Sequence, residues 1–225
     1  MRKSKEGILG FLIVAFSLVG YVVGCTHDDE ILASSGPDIT RGDQKINIGT
    51  NAKHTFDKAH SNVQWSTAYL GATSLLTGRF DNFKINSFNF DESNAAGINF
   101  EAQVYLNTVN TSEPARDDGC LLQTFGTTAS LVDEPENLAI IKSKSVTLST
   151  TDKGYDVKAD LTFHGATHEV VAKLRYDGKT LSGTSEVLGF GLEFSFLAKT
   201  DFAIVSSNIG DNVTVKINTN CKIAP

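Results

Sequence analysis

Residues 154–176, GYDVKADLTFHGATHEVVAKLRY, are the stretch whose reading decides the fold. Two runs of alternating polarity flank His164-Gly165-Ala166-Thr167. Glycine at the first central position of such a hinge suits a type II′ turn, whose twist matches the strands it joins. That turn sets a register in which Phe163 faces His168, Leu161 faces Val170, Ala159 faces Ala172, Val157 faces Leu174 and Tyr155 faces Tyr176. Every apolar partner then lands on one side, while Asp156, Lys158, Asp160, Glu169, Lys173 and Arg175 land on the other. The expectation is a hairpin with one wet and one dry face, thinnest at the Ala159–Ala172 rung. The same register sends His164 outward and His168 inward, so their His-x-x-x-His spacing is not expected to hold a metal.

The alternation continues on both sides of the hairpin. Phe190, Leu192, Phe194, Phe196 and Ala198 form the most apolar stripe of the chain, and Ile98 to Leu106 and Val213 to Thr219 alternate as cleanly. His54 to Leu70 reads as two strand pieces joined by a bend at Asp57–Ser61, and Leu75 to Phe90 changes phase, which calls for a bulge or turn near Asp81-Asn82. Leu138 to Leu148 is a further strand, and Asp177-Gly178 is a turn signal. Ser112 to Phe125 reads as a short helix, capped by Ser112 and ended by Gly126, that covers one end of the sheet. These elements give an all-β chain of about eight antiparallel strands. Closure into a barrel removes both exposed edges; a two-sheet sandwich is the alternative.

The first fifty residues do not share this pattern. Arg2, Lys3 and Lys5 precede an apolar run from Ile8 to Val23 that ends at Cys25. The run is short for a membrane-spanning helix, and its approach to the cysteine resembles the lipobox of bacterial lipoproteins. Residues 1–24 are expected to be a lipoprotein signal peptide, with Cys25 lipidated (palmitate-type acylation) and anchoring the chain to a membrane; an uncleaved N-terminal anchor is the alternative. Residues 25–51 read as a flexible acidic tether and 52–225 as the barrel domain. Asp28-Asp29-Glu30 resembles a surface-export signal of bacterial lipoproteins, or is solvated linker charge. Without residues 1–24 the chain carries 17 basic against 25 acidic residues, a balance that excludes a nucleic-acid partner. Cys120 and Cys221 are then the pair available for a disulfide, with two free thiols as the alternative.

Few residues suggest chemistry. Asp57, His60 and Ser61 could be drawn as a hydrolase triad, but no Gly-x-Ser-x-Gly elbow accompanies them, and hydrogen bonding of a strand bend is the simpler role. Arg116 could hold an acidic group or pair with Asp117 and Asp118. Neither a phosphate-binding glycine loop nor a cysteine pair with zinc spacing is present.

Five segments in order carry a resemblance. Asp57-Lys58-Ala59-His60-Ser61 with Val63 and Trp65, Gly78-Arg79-Phe80-Asp81-Asn82-Phe83, Asn110 with Arg116-Asp117 and Leu121-Leu122, Val157 with Asp160-Leu161-Thr162-Phe163-His164-Gly165 and Thr167, and Asp201-Phe202 resemble the YceI-like family from about residue 53 onward. The resemblance implies an eight-stranded, lipocalin-like barrel with a short covering helix, in the bacterial cell envelope. It also implies that the barrel holds a long polyisoprenoid or quinone-type lipid, with no catalysis. Strand parity then selects Phe100, Val104, Val157, Ala159, Leu161, Phe163, Ala172, Leu174, Phe190, Leu192, Phe194 and Phe196 as barrel lining, with His168 and Arg116 as polar candidates at the rim. A rival reading fills the barrel with side chains and makes it a structural or protein-interaction module. The chain departs from the family at Thr127 to Asn137, Lys199 and His168, where ligand choice could be decided.

Overall fold

The alternation read from the hairpin runs through the whole sheet. The computed structural model describes residues 42–49, 52–70, 74–150, 152 and 154–223. The signal segment 1–24, Cys25 and Asp28-Asp29-Glu30 lie outside the described residues. The strands are β1 (Lys45–Ile48), β2 (His54–Tyr69), β3 (Ser74–Phe80), β4 (Phe83–Asp91), β5 (Asn99–Tyr105), β6 (Val109–Asn110), β7 (Leu138–Leu148), β8 (Tyr155–Phe163), β9 (Ala166–Ser182), β10 (Ser185–Leu197) and β11 (Ile209–Ile223). They form one antiparallel sheet in the order β1-β4-β5-β7-β8-β9-β10-β11-β2-β3-β6. It curls strongly into a lipocalin-like half-barrel. Eleven strands stand among the described residues where about eight were expected. The additions are the short edges β1 and β6 and the division of the 75–90 stretch into β3 and β4; β1 lies within the stretch read as tether.

The β8–β9 hairpin exists, but its register differs from the expected one by two residues. His164 has φ 51° and Gly165 φ 76°, so these two, not Gly165 and Ala166, are the centre of the turn. Two successive positive φ values make a type I′ turn. Phe163 therefore faces Ala166, Leu161 faces His168, Ala159 faces Val170 and Val157 faces Ala172. A slip of two preserves which face each side chain takes, so Tyr155, Val157, Ala159, Leu161 and Phe163 remain buried. It does, however, dissolve the alanine rung.

Asp177-Gly178 is likewise a bulge and not a turn. Gly178 faces Gly189 and Tyr176 faces Phe190, leaving Asp177 unpaired in the ladder while β9 continues to Ser182. The bend at Asp57–Ser61 is real but lies within one strand: Asn62 faces Asn218 and Asp57 faces Asn220, so the residues between them bulge out of the ladder. The phase change near Asp81-Asn82 is the break between β3 and β4.

That break closes the half-barrel. β3 pairs with β2 and β6, β4 pairs with β1 and β5, and the chain crosses between the two ends of the sheet at Asp81-Asn82 and again through a 3-10 turn at Leu106–Thr108. Asp81 N donates to the Thr108 carbonyl and Tyr105 N to the Asn82 carbonyl, each at 3.0 Å.

The two cysteines do not bridge. Cys221 is fully buried on β11 opposite Phe56 and Leu188, whereas Cys120 is exposed on the helical segment between β6 and β7. Burial raises the Cys221 thiol to about 12.

At the end where β1 joins, the barrel is filled. Phe90 has no exposed surface, and its ring lies 5.0 Å from Phe190, 5.3 Å from Tyr176 and 5.7 Å from Tyr155. Phe88 meets Phe190 edge-on at 5.0 Å. Burial and stacking of this kind make each ring a major contributor to the core. Phe90→Ala is expected to cost about 3–5 kcal/mol, read as a fall in the urea midpoint of unfolding with an unchanged slope.

Candidate ligand cavity

The opposite half of the barrel is built differently. Its end is covered by a helical segment comprising a π turn, Arg116–Leu121, continuing into α1, Leu122–Phe125. Gly126 ends α1 with φ 68°, as expected, but Ser112 does not cap the segment: its φ is 64° and its side chain makes no cap bond. Asp117 does the anchoring instead. Its carboxylate accepts from Thr111 N at 3.0 and 3.1 Å and from Thr111 Oγ1, and Arg116 Nε donates to the same Thr111 hydroxyl at 3.0 Å. Leu121 and Leu122 point inward and are buried.

Beside this cap lie the β8–β9 turn and the segment that links β10 to β11. His164 Nδ1 donates to the Phe202 carbonyl at 3.0 Å, and the His168 ring meets the Phe202 ring at 5.0 Å. The two histidines therefore converge on one residue and do not leave opposite faces, because the tighter turn places His164 at the tip. Phe163 joins Phe125, Phe196 and Phe202 at 5.4–6.1 Å. Asn137, fully buried, satisfies its side chain by accepting from Asn107 N and Thr127 Oγ1 and donating to the Leu131 and Val132 carbonyls. This pins the 127–137 loop against the crossing at Leu106–Thr108.

Beneath the cap these walls enclose a cavity of about 120 Å³. It is lined by 28 residues, of which only Thr67, Lys84, Gln103, Thr124 and Thr219 are polar apart from the indole N–H of Trp65. Phe56, Ile85, Ala102, Val104, Phe125, Ala139, Phe196, Ile209 and Ile217 on this wall are half-buried, unlike the sealed rings at the other end. Phe56 of β2 and Phe83 of β4 meet edge-on at 5.6 Å across the gap where no ladder runs.

Five residues of the expected lining, Val104, Leu161, Phe163, Phe194 and Phe196, stand on this wall. Phe100, Val157, Ala159, Ala172, Leu174, Phe190 and Leu192 are buried but lie off it, toward the filled end. Arg116 and His168 are half-buried near the cap and are not on the wall either. Most of the wall comes from strands the parity selection left out: β2, β3, β4, β7 and β11. A signal for them was present in the sequence, since Val63, Trp65 and Thr67 and also Val213, Val215 and Ile217 alternate as clearly as the strands that were chosen.

The fold, the helical cap and the order of segments agree with a sequence match to the YceI-like domain over residues 54–221. The chain belongs to the YceI-like family. No curated protein matches it in sequence. Several solved structures share the fold, among them these three. Burkholderia cenocepacia BcnA is 16% identical, with a TM-score of 0.56, over 74% of this chain and 99% of that one. A polyisoprenoid-binding domain from Saccharophagus degradans, implicated in plant cell wall breakdown, is 19% identical, with a TM-score of 0.53, over 77% and 99%. The Campylobacter jejuni YCEI protein is 20% identical, with a TM-score of 0.55, over 76% and 98%.

Several residues that carry the YceI-like resemblance are clamps. Lys58 Nζ donates to Asn82 Oδ1 at 2.6 Å, Arg79 Nε pairs with Asp81 at 2.7 Å, and Asn110 Nδ2 donates to Asp81 at 2.8 Å. All three hold the chain crossing. Of the YceI-like departures, Lys199 contributes its backbone N–H to Asp211 at 2.7 Å, closing the β10–β11 link.

Asp57, His60 and Ser61 come together as a bend and not as a triad. His60 Nδ1 lies 2.8 Å from the Asp57 carboxylate, but Ser61 Oγ donates to the Asp57 backbone carbonyl at 2.7 Å and accepts from Asn220 N at 3.0 Å. Asp57 is buried and also pairs with Lys222 at 2.6 Å. The Lys222 hydrogen bond is the main reason its carboxyl sits below the usual carboxylate range; burial opposes this and His60 adds to it. A carboxyl whose folded pKa is depressed adds stability above its unfolded value of about 3.9 and loses it as pH falls through the folded value. Asp57→Asn should therefore lower stability at pH 6 and flatten the acid-side fall between pH 5 and 3, measured as urea midpoints across that range.

Proposed function

We propose that this protein binds the long apolar chain of a lipid, a polyisoprenoid or quinone-type chain, within the half-barrel beneath the cap, and that it does so without catalysis. The carrying observation is the wall itself: a pocket in the interior of a fold this size, with five polar side chains among 28 besides one indole N–H, offers contact to hydrocarbon and little to a polar solute. Covering apolar surface is worth about 25 cal/mol per Å², so a few isoprene units lodged against Phe56, Phe83, Phe125 and Phe196 bind without any charged contact. The Saccharophagus degradans domain, which shares the fold, is described as polyisoprenoid-binding, and this supports the same class of ligand here. The filled half below supplies the rigid floor that such a pocket needs. In this reading the chain works in the bacterial cell envelope, held to a membrane through lipid on Cys25.

Two measurements test the proposal. Protein purified from its own envelope, extracted with organic solvent and compared by native mass spectrometry before and after, should release an apolar chain lipid; a preparation that never yields one overturns the reading. Ala139 lies on the wall and is half-buried. Ala139→Phe should fold, occupy the cavity and lower lipid binding at least about tenfold, equal to 1.4 kcal/mol. Ala159→Phe should instead strain the fold, since Ala159 has no exposed surface and lies off the cavity wall.

A further inference from the structure

The cavity ends abruptly, and at one level across four neighbouring strands. Ile85 of β4 faces Ala102 of β5, Ala102 faces Ile141 of β7, and Ile141 faces Leu161 of β8, so the four make one inward rung, and all of them line the cavity. The next inward residues toward the filled end, Phe88, Phe100 and Ala159, are buried and off the lining. A single step along the inner face of a strand, about 7 Å, therefore separates open space from close packing. Phe88 faces Phe100 directly, and behind Phe88 stand the rings of Phe90 and Phe190 at 6.1 and 5.0 Å. On β7 the matching Ser143 is held to the main chain of β5, its Oγ accepting from Phe100 N at 2.9 Å. The floor has nowhere to retreat.

The walls above the floor are looser. Phe56, Phe125 and Phe196 are half-buried, and Phe125 is carried on the four residues of α1. The cavity volume of about 120 Å³ is a little below the roughly 150 Å³ of an apolar cavity that takes up one benzene, which makes it a match for about one five-carbon unit. Turning of the half-buried rings gives room to the units that follow, whereas nothing gives room below.

We propose that Phe88 and Phe100 are the stop against which the apolar end of the ligand rests, so that the protein encloses only the last few units of the chain and is indifferent to how much chain follows. This rests on the lipid-binding reading above and adds to it which part of the ligand is recognised. The floor offers hydrocarbon contact alone, so the chain enters apolar end first and a polar head stays toward the cap. Each enclosed unit removes apolar surface from water and adds affinity. A unit beyond the cavity is in water both bound and free, and adds none.

The test uses geraniol, farnesol and geranylgeraniol, prenyl alcohols of two, three and four isoprene units, with affinities read by native mass spectrometry. In the parent protein affinity should rise at least about tenfold from geraniol to farnesol and change less than about threefold from farnesol to geranylgeraniol. Phe100→Ala removes a ring of benzene's size from the floor, and should let geranylgeraniol bind at least about tenfold more tightly than farnesol. A parent protein whose affinity climbs a further tenfold to geranylgeraniol, or a folded Phe100→Ala that levels off at the same alcohol as the parent, overturns the proposal and leaves the lipid-binding reading intact. Binding of none of the three alcohols by the parent protein overturns both. Should Phe100→Ala fail to fold by circular dichroism, the parent series decides alone: levelling at farnesol supports the stop, and a continued climb overturns it.

Discussion

A curled sheet of eleven strands has two ends, and in this protein they are joined by chain crossings in place of a ladder. Asp81-Asn82 and Leu106–Thr108 run across the seam and exchange backbone hydrogen bonds through Thr108 and Asn82. Buried backbone groups at a seam must find partners or forfeit their hydration. The side chains around it serve that need. Thr108 Oγ1 accepts from Asn82 N, Asp81 gathers Arg79 and Asn110, and Asn82 takes Lys58. The covering segment starts from the same place, since Asp117 is held on Thr111 immediately after β6. Closure, cap and pocket are thus one construction.

Two aromatic clusters then divide the interior. At one end Phe88, Phe90, Tyr155, Tyr176 and Phe190 fill the space between the strands, with β1 laid across them so that Ile46 is almost wholly enclosed. At the other, Phe125, Phe163, Phe196 and Phe202 meet beneath the cap but leave a cavity between themselves and the β2–β11 wall. The chemistry of the two clusters is the same. What differs is whether a further strand or only a short helical turn seals them.

Much of this was legible in the sequence, for a physical reason that also sets its limit. Alternation reports the face of a residue, and face survives a two-residue slip, so the inward stripes of β8, β9 and β10 were readable although the turn type was not. The distinction between types I′ and II′ depended on whether His164 accepts a positive φ, which a non-glycine residue rarely advertises. Asp177-Gly178 misled for a related reason, because a glycine with positive φ serves a bulge as well as a turn. Height along the barrel is invisible to parity. Phe190 and Phe194 share one stripe, separated by about 13 Å of strand, yet one is sealed among rings and the other lines the cavity. β1 was obscured by brevity, with only Ile46 and Ile48 to mark it.

The pairing of β2 with β11 has a consequence for how the barrel comes into being. Val63 lies opposite Ile217 and Trp65 opposite Val215, partners separated by about 150 residues. Contacts this distant in sequence carry a large loop-closure cost and slow the search for the native state. As the chain emerges from its N-terminal end, β2 can form its hairpin with β3, but its other edge stays bare until nearly the last residues appear. The cavity is therefore among the last features to exist during synthesis. A chain halted before Ile209 would present an open edge and an uncovered apolar wall, a state prone to pairing with other chains.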